Sequence, residues 1–300
     1  MFSDLYKKSY RKIRRWAVIA AILIFAAAFD CSAYAAVDTD TKVSFLSGLN
    51  AWDMPSLSSA QKGFLKFMVK AAGSGSDSSA TTSEDMSGIG NGINRRDLDV
   101  VMRTSMEIIL NTLCGNAYYN QVASGVKVNL FLEGGGGNVS AENDTRKVTK
   151  IETVVDEAGR QAIAGANERY KATQTKLAGL LVSEAGVTAD DTQVEALRKI
   201  NNWICSSFTY DEGAFGYTVD QTLDTKRGVC GQFSQIVKFS CDYLGIPCDL
   251  IADAQMIHAY NRVTIDGTPY YIDVTWNNTE GNPEGWFLKT AAEFSADHGI

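Results

Sequence analysis

Three side chains in the last quarter of the chain have the types that thiol chemistry requires. Cys230 lies in Lys226-Arg227-Gly228-Val229-Cys230-Gly231-Gln232-Phe233, and His258 and Asp273 follow it in that order. A thiol becomes a good nucleophile near neutral pH only when a neighbouring base or positive charge draws off its proton. An imidazole supplies both, and a carboxylate behind the ring sets its tautomer and steadies its cation. The expected chemistry is attack by Cys230 on a carbonyl carbon. His258 takes the thiol proton and later donates one to the leaving amine, while Asp273 orients His258.

Local pattern predicts the elements that carry these groups. Gly228 permits a sharp turn into a helix that opens at Cys230. Phe233, Ile236, Val237, Ser240, Cys241 and Leu244 recur at helical spacing, and Gly245 before Ile246-Pro247 ends the run. Free backbone N–H groups and the positive end of the helix dipole favour a thiolate at that position, and the same groups can receive an oxyanion. Residues 257–265 and 270–275 alternate as strands around Asp266-Gly267, a two-residue hairpin signal. That turn pairs Ile265 with Thr268. Continued, it sets His258 opposite Thr275 and Tyr260 opposite Asp273, so His258 and Asp273 share a face diagonally. A three-residue loop without a bulge would separate them. Alone, a cysteine at a helix start reads as a core residue. The His–Asp pair downstream turns that reading toward catalysis.

At these residues the chain resembles the transglutaminase-like, papain-fold cysteine enzymes in their bacterial exported form. The matching stretches are Gly228-Val229-Cys230-Gly231, Leu244-Gly245-Ile246-Pro247, His258-Ala259-Tyr260-Asn261 and Tyr271-Ile272-Asp273-Val274-Thr275-Trp276. Phe208-Thr209-Tyr210-Asp211, Trp286-Phe287-Leu288 and His298 also fit. The likeness runs from about Asp191 to His298. It implies a Cys230, His258, Asp273 triad and an α+β fold, with the Cys helix packed on an antiparallel sheet. It further implies acyl transfer from a glutamine carboxamide or peptide bond, as a cysteine peptidase, a deamidase or a cross-linking enzyme. Protein or peptide substrates follow, cell-envelope proteins among the candidates, and no cofactor is needed. Tyr260 stands where many relatives carry Trp and is expected on the pocket wall. Trp276 is expected beside the triad, and both are read as substrate-binding. Gln221 and Tyr217 lie upstream, and neither is assigned as the second oxyanion donor. The competing reading is a non-catalytic cell-surface binding module that keeps the fold.

Bulk properties narrow the classes. The chain of 300 residues is 45% hydrophobic and 21% charged, a globular composition, and its formal charge of −7 argues against nucleic acid as a partner. Six of its basic residues crowd residues 7–15, ahead of an apolar run from Ala17 to Phe29 and the small residues of Ala33-Tyr34-Ala35. This pattern fits a secretory signal and is short for a bilayer span. Residues 1–35 are therefore expected to be a signal peptide or N-terminal anchor on a secreted or cell-surface protein, with membrane contact only through that segment if it is uncleaved. Without the segment the net charge falls to about −11.

Residues 36–150 are expected to form a mostly helical region of unassigned role, with a Gly/Ser-rich linker over 73–92. Residues 151–300 would form the catalytic domain. Helices are predicted over 52–72, 97–113 and 152–182, and another after the cap at 189–192; a strand is predicted over 126–132. Residues 212–228 read as a loop. Gly134 to Gly137 lack the Gly-Lys-Ser/Thr ending of a phosphate loop and read as a plain loop too. Apart from Cys31 and Cys230, four cysteines remain: Cys114, Cys205, Cys241 and Cys248. They allow three disulfide connectivities, or serve as buried small apolar groups. No Cys or His spacing suggests a metal site. Three sequons, at Asn138, Asn143 and Asn277, matter only in a host that glycosylates exported proteins.

Overall fold

Pro55 biases the chain before it away from helix, and the first helix, α1, spans Ser59–Gly73 instead of starting at Trp52. Only a 3-10 turn, Ala51–Asp53, precedes it. The computed structural model describes residues 37, 39–73, 79–81, 89–108, 126–135, 139–253 and 257–298. The N-terminal segment 1–35 with Cys31, the predicted helical residues 109–113, Cys114, Gly136, Gly137 and Asn138 lie outside these.

The stretch expected as a linker contains strand β1, Ser79–Thr81. Helix α2 (Arg95–Ile108) and strand β2 (Val126–Leu132) follow. Along β2 half-buried and exposed residues alternate as expected of a strand with one covered face. Strand β3, Val148–Val155, corrects the prediction of helix from Glu152. Thr153, Val154 and Val155 are β-branched, and they pair antiparallel with Val128, Lys127 and Val126 of β2. The three strands form a sheet in the order β1-β3-β2. Phe64, Phe67 and Met68 of α1 pack with Leu98, Ile151 and Val155 in its core. Asp156 ends β3 and caps α3, Glu157–Ser183, by accepting the Gly159 N–H at 2.8 Å. The expected boundary between residues 150 and 151 thus falls inside β3. By its contacts, Thr39–Ile300 makes up one compact unit.

Helix α4, Gln193–Ser207, starts with a capping box between Thr192 and Glu195, and Val194, Leu197, Ile200, Asn201 and Ile204 are buried as predicted. Strand β4 (Thr209–Tyr210) pairs in parallel with β5 (Arg227–Gly228). Between them the expected loop holds a short helix, α5, Val219–Thr225, opened by a Thr218–Gln221 capping box. Then come α6 (Cys230–Tyr243), β6 (Cys248–Asp253), β7 (His258–Ile265), β8 (Thr268–Ile272), α7 (Val274–Glu280) and α8 (Ala291–His298). The last three strands form an antiparallel sheet in the order β6-β7-β8. Ile265 faces Thr268 and Asn261 faces Ile272, the register predicted from the two-residue turn. Asp266 and Gly267 both take positive φ, at 48° and 79°, as a type I′ turn requires. The ladder stops at Ile272, however. Asp273 leaves the strand to cap α7, so the alternation read through Thr275 fails after Ile272.

Helix α6 lies on this sheet, and two side chains tie it there. Ser234 Oγ donates to the Ala259 carbonyl at 2.9 Å, and Asn261 Nδ2 donates to the Ser234 carbonyl at 3.0 Å. The chain just after residue 38 also straps this part: Ser44 and Leu46 donate to the Leu244 and Tyr243 carbonyls, and Thr41 Oγ1 reaches Asp266 at 2.7 Å. The fold class is α+β. Among the described residues no helix is long and apolar enough to cross a membrane.

Candidate active site

Cys230 is the first residue of α6, and its position is set by contacts on either side of it. A Cβ on Gly228 would lie 2.9 Å from Thr222 Cγ2 and 3.1 Å from Phe233 Cε1, so only glycine fits the approach. Val229 is extended and serves as the N-cap; its N–H donates to Gln232 Oε1 at 3.0 Å. Gln232 Nε2 in turn donates to the Tyr217 carbonyl at 2.8 Å, which anchors the helix start to the preceding loop. Burial pushes the Cys230 thiol up. A hydrogen bond and charge from His258, with the Ala259 and Gly231 N–H groups, outweigh that and hold it below the ordinary thiol value.

His258 opens β7, and its Nε2 lies 2.7 Å from Asp273 Oδ2. With Nε2 so engaged, Nδ1 is the ring nitrogen left to serve Cys230. The ring is nearly buried, which lowers its pKa. Hydrogen bonds to Asp273 and Cys230, and their charges, reverse this and raise it to about 9. Asp273 is fully buried. Its Oδ1 accepts the N–H groups of Thr275 and Trp276, both at 3.0 Å, as the cap of α7. Its own N–H donates to the Trp286 carbonyl at 3.0 Å. Burial drives this carboxyl up, and hydrogen bonds from His258, His298 and the Trp276 amide bring it below its ordinary value.

Of the three residues predicted to do the chemistry, His258 and Asp273 are joined by a hydrogen bond, through cap geometry where the sequence suggested a ladder, and His258 lies close enough to Cys230 to lower its thiol. The segment that presents Asp273 is held by a buried amide network. Asn277 Nδ2 donates to Asn201 Oδ1 at 2.8 Å, and Asn277 Oδ1 accepts the Trp286 N–H at 2.7 Å. Asn277 is thereby closed as a glycan acceptor. Trp276 is half-buried and stacks on the His258 ring at 5.7 Å. Tyr260 differs from expectation. It is 1% exposed and packs on Phe294 at 4.9 Å and His298 at 5.3 Å, so it supports the His258 strand from beneath and has no surface for a ligand. Gln221 spends its side-chain oxygen on the Thr218 N–H at 2.9 Å, and Tyr217 enters through its backbone carbonyl.

Four residues near the site escaped the sequence reading or were left without a role. Gln232 stands three residues after the N-cap, a spacing that could have exposed it. Asn261, the tie from β7 to α6, carries no local signal. The Tyr210 phenol is raised by burial first and then by the negative charges of Cys230, Glu212 and Asp273, which places it in the sulfur's field. His298 Nε2 lies 2.9 Å from the same Asp273 Oδ2 that His258 uses. Ligand-type atoms of His258, Asp273 and His298 all fall within 4.8 Å of one another, yet both rings already spend Nε2 on the carboxylate. Of the other described thiols, burial raises Cys205 to about 11 and pushes Cys241 higher than its ordinary value, with Cys248 beside it.

Residues 181–286 match the family model described as Transglutaminase-like superfamily. Among solved structures, one described as a TGase aligns with a TM-score of 0.31 at 18% identity, covering 54% of this chain and 48% of its own. A candidate cysteine protease from Cytophaga hutchinsonii aligns with a TM-score of 0.30 at 17% identity, covering 51% of this chain and 63% of its own. The chain thus spans less than two thirds of either structure. No curated protein sequence matches it.

Proposed function

From the match of residues 181–286 to the Transglutaminase-like superfamily model, we propose that the protein is an exported thiol acyl-transfer enzyme. The observation that carries the reading is the His258–Asp273 hydrogen bond set beside Cys230 at the N-terminus of α6, with the thiol held low and the imidazole held high. Opposite shifts in two neighbouring groups are those expected of a thiolate–imidazolium pair. The Cys230 sulfur attacks the carbonyl carbon of a glutamine carboxamide or peptide bond. The C–S bond forms as the carbonyl electrons move to oxygen, where N–H groups at the start of α6 receive the charge. Collapse of this oxyanion breaks the C–N bond, and the departing nitrogen takes the proton of His258. The thioester is then attacked by water or by an amine. His258 accepts the proton of that nucleophile, and the sulfur leaves as thiolate. Asp273 keeps Nε2–H directed away from the sulfur throughout, so that Nδ1 does the proton transfer.

Export rests on the basic and apolar pattern of residues 1–35. Water as acceptor gives a peptidase or deamidase, and an amine gives cross-linking. The test is incubation with a glutamine-peptide library and a labelled primary amine, read by mass. Deamidation, cleavage or amine incorporation that vanishes in Cys230→Ala supports the reading and names the subclass. No product from wild type, with Cys230 unreactive to iodoacetamide, refutes it and leaves a binding module.

A further inference from the structure

Among the described residues His298 has one polar contact, and that contact is Asp273. Its Nε2 reaches Oδ2 at 2.9 Å, while its Nδ1 is buried with no hydrogen-bond partner among the described residues. The ring is boxed by aromatic groups: Phe294 stacks on it at 3.6 Å, and Trp276, Trp286 and Tyr260 lie at 4.3, 5.0 and 5.3 Å. A phenyl ring would fill such a box without leaving a nitrogen unsatisfied, so packing alone gives no reason for an imidazole there. What the imidazole adds is a donor to a carboxylate.

That carboxylate needs it. Asp273 is fully buried, where the ionised form persists only if its lone pairs are occupied. Oδ1 takes two backbone N–H groups, and Oδ2 takes His258 and His298, which completes four donors on two oxygens. We propose that His298 is a positioning residue for the acyl-transfer site, holding Asp273 ionised and turned toward His258. The proposal rests on the thiol acyl-transfer reading above. Both imidazoles must present N–H to the same oxygen. His258 is thereby kept in the tautomer whose Nδ1 faces the sulfur.

The sign of the effect follows. Without the His298 donor, Asp273 takes up a proton at a higher pH. His258 then loses its counter-charge, the thiolate–imidazolium pair weakens, and Cys230 reactivity is lost earlier as pH falls. The alkaline limit, set by His258, stays in place. A residue that only pinned α8 to the sheet would move neither limit.

The experiment measures the rate of Cys230 alkylation by iodoacetamide across pH 4–10 in wild type, His298→Phe and His298→Gln, with turnover of a glutamine peptide beside it. In His298→Phe the acid midpoint should rise by about one unit and kcat measured below that midpoint should fall about tenfold, with KM unchanged. His298→Gln, which restores an N–H donor, should recover most of both. An acid midpoint in His298→Phe equal to that of wild type overturns the inference, as does a Gln variant no better than Phe. Should His298→Phe fail to fold, imidazole 15N NMR of wild type decides, since the chain has only 2 histidines to assign. A protonated Nε2 on His298 supports the role; an unprotonated one overturns it. If wild-type Cys230 shows no reactivity in the acid range, the acyl-transfer reading itself falls. A reactive wild type with an indifferent His298→Phe removes only the role of His298.

Discussion

His258→Ala should separate the Cys230 thiol from the source of its activation, and the size of the loss can be worked from the site. The ordinary thiol value is 9.0, and burial alone would move Cys230 above it. The His258 hydrogen bond and charge are the main opposing influences. At pH 6 a thiol at its ordinary value is ionised to about one part in a thousand. Each unit by which His258 lowers the thiol yields about tenfold more thiolate and gives back about threefold in nucleophilicity, a net gain of about threefold. Wild type should therefore alkylate faster than His258→Ala by about 3- to 30-fold at pH 6. The ratio should shrink as pH rises and close above about 9, where His258 itself loses its proton.

The assay is competitive iodoacetamide labelling, quenched in acid and read cysteine by cysteine in digests. It has internal controls in the same chain. Cys205 is raised to about 11 and Cys241 is fully buried, so neither should label in the native protein at pH 6. Equal Cys230 rates in wild type and His258→Ala at pH 6, with both proteins folded, would refute the ion pair and with it the nucleophile.

Other expected outcomes follow from the same contacts. Gly228→Ala forces a Cβ into Thr222 and Phe233, and should cost about 1–3 kcal/mol in denaturant unfolding while lowering Cys230 labelling at pH 6. Lys238 and Asp242 form a fully buried ion pair on α6, with Tyr170 donating to Asp242 at 3.2 Å. Lys238→Met alone leaves an unpaired buried carboxylate and should destabilise by about 3–5 kcal/mol, and adding Asp242→Leu should restore most of that; no recovery in the double variant would count against the electrostatic cause. Melting temperature should be nearly flat between about pH 6.5 and 9 in wild type. Folded, the Cys–His pair holds one proton, on His258; unfolded, it also holds one, on sulfur, since the ordinary values are 6.5 and 9.0. In Cys230→Ala the compensation disappears. The raised His258 then gives stability that is complete below about pH 6.5 and lost as pH climbs toward the folded value, by about 1–2 kcal/mol, and a flat profile in that variant would sink the assignment.

What could be read in the sequence is what local energies decide. The opening of α6 at Cys230, the buried stripe of Phe233, Ile236, Val237 and Leu244, and the Asp266-Gly267 turn each depend on neighbours within a few positions. The turn alone carried the register of β7 with β8, because a two-residue loop leaves no freedom in which residues face each other. The misread segments are those where tertiary pairing overrode local preference. Thr153, Val154 and Val155 read as the start of a helix until β2 is present to pair with them. The segment after Gly73 reads as linker because its strand is only three residues long and forms by pairing with β3.

The site shows the same limit more sharply. The hairpin register places His258 and Asp273 together by a ladder that in the structure ends at Ile272. Both routes meet because a hairpin of fixed register delivers Ile272 opposite Asn261, and the next residue must lie near the start of β7 whether it continues the strand or caps a helix. What the ladder could not supply is the reason Asp273 stays charged in a dry interior. That needs the amides of Thr275 and Trp276, available only if the chain turns into α7, and a second imidazole delivered by α8. The change from strand to cap is thus what the proposed chemistry requires. A carboxylate still in the ladder would spend its backbone N–H on a neighbouring strand, and its side chain would have no helix N-terminus to neutralise it. Asp273 ends the sheet at the point where its charge can be both buried and kept.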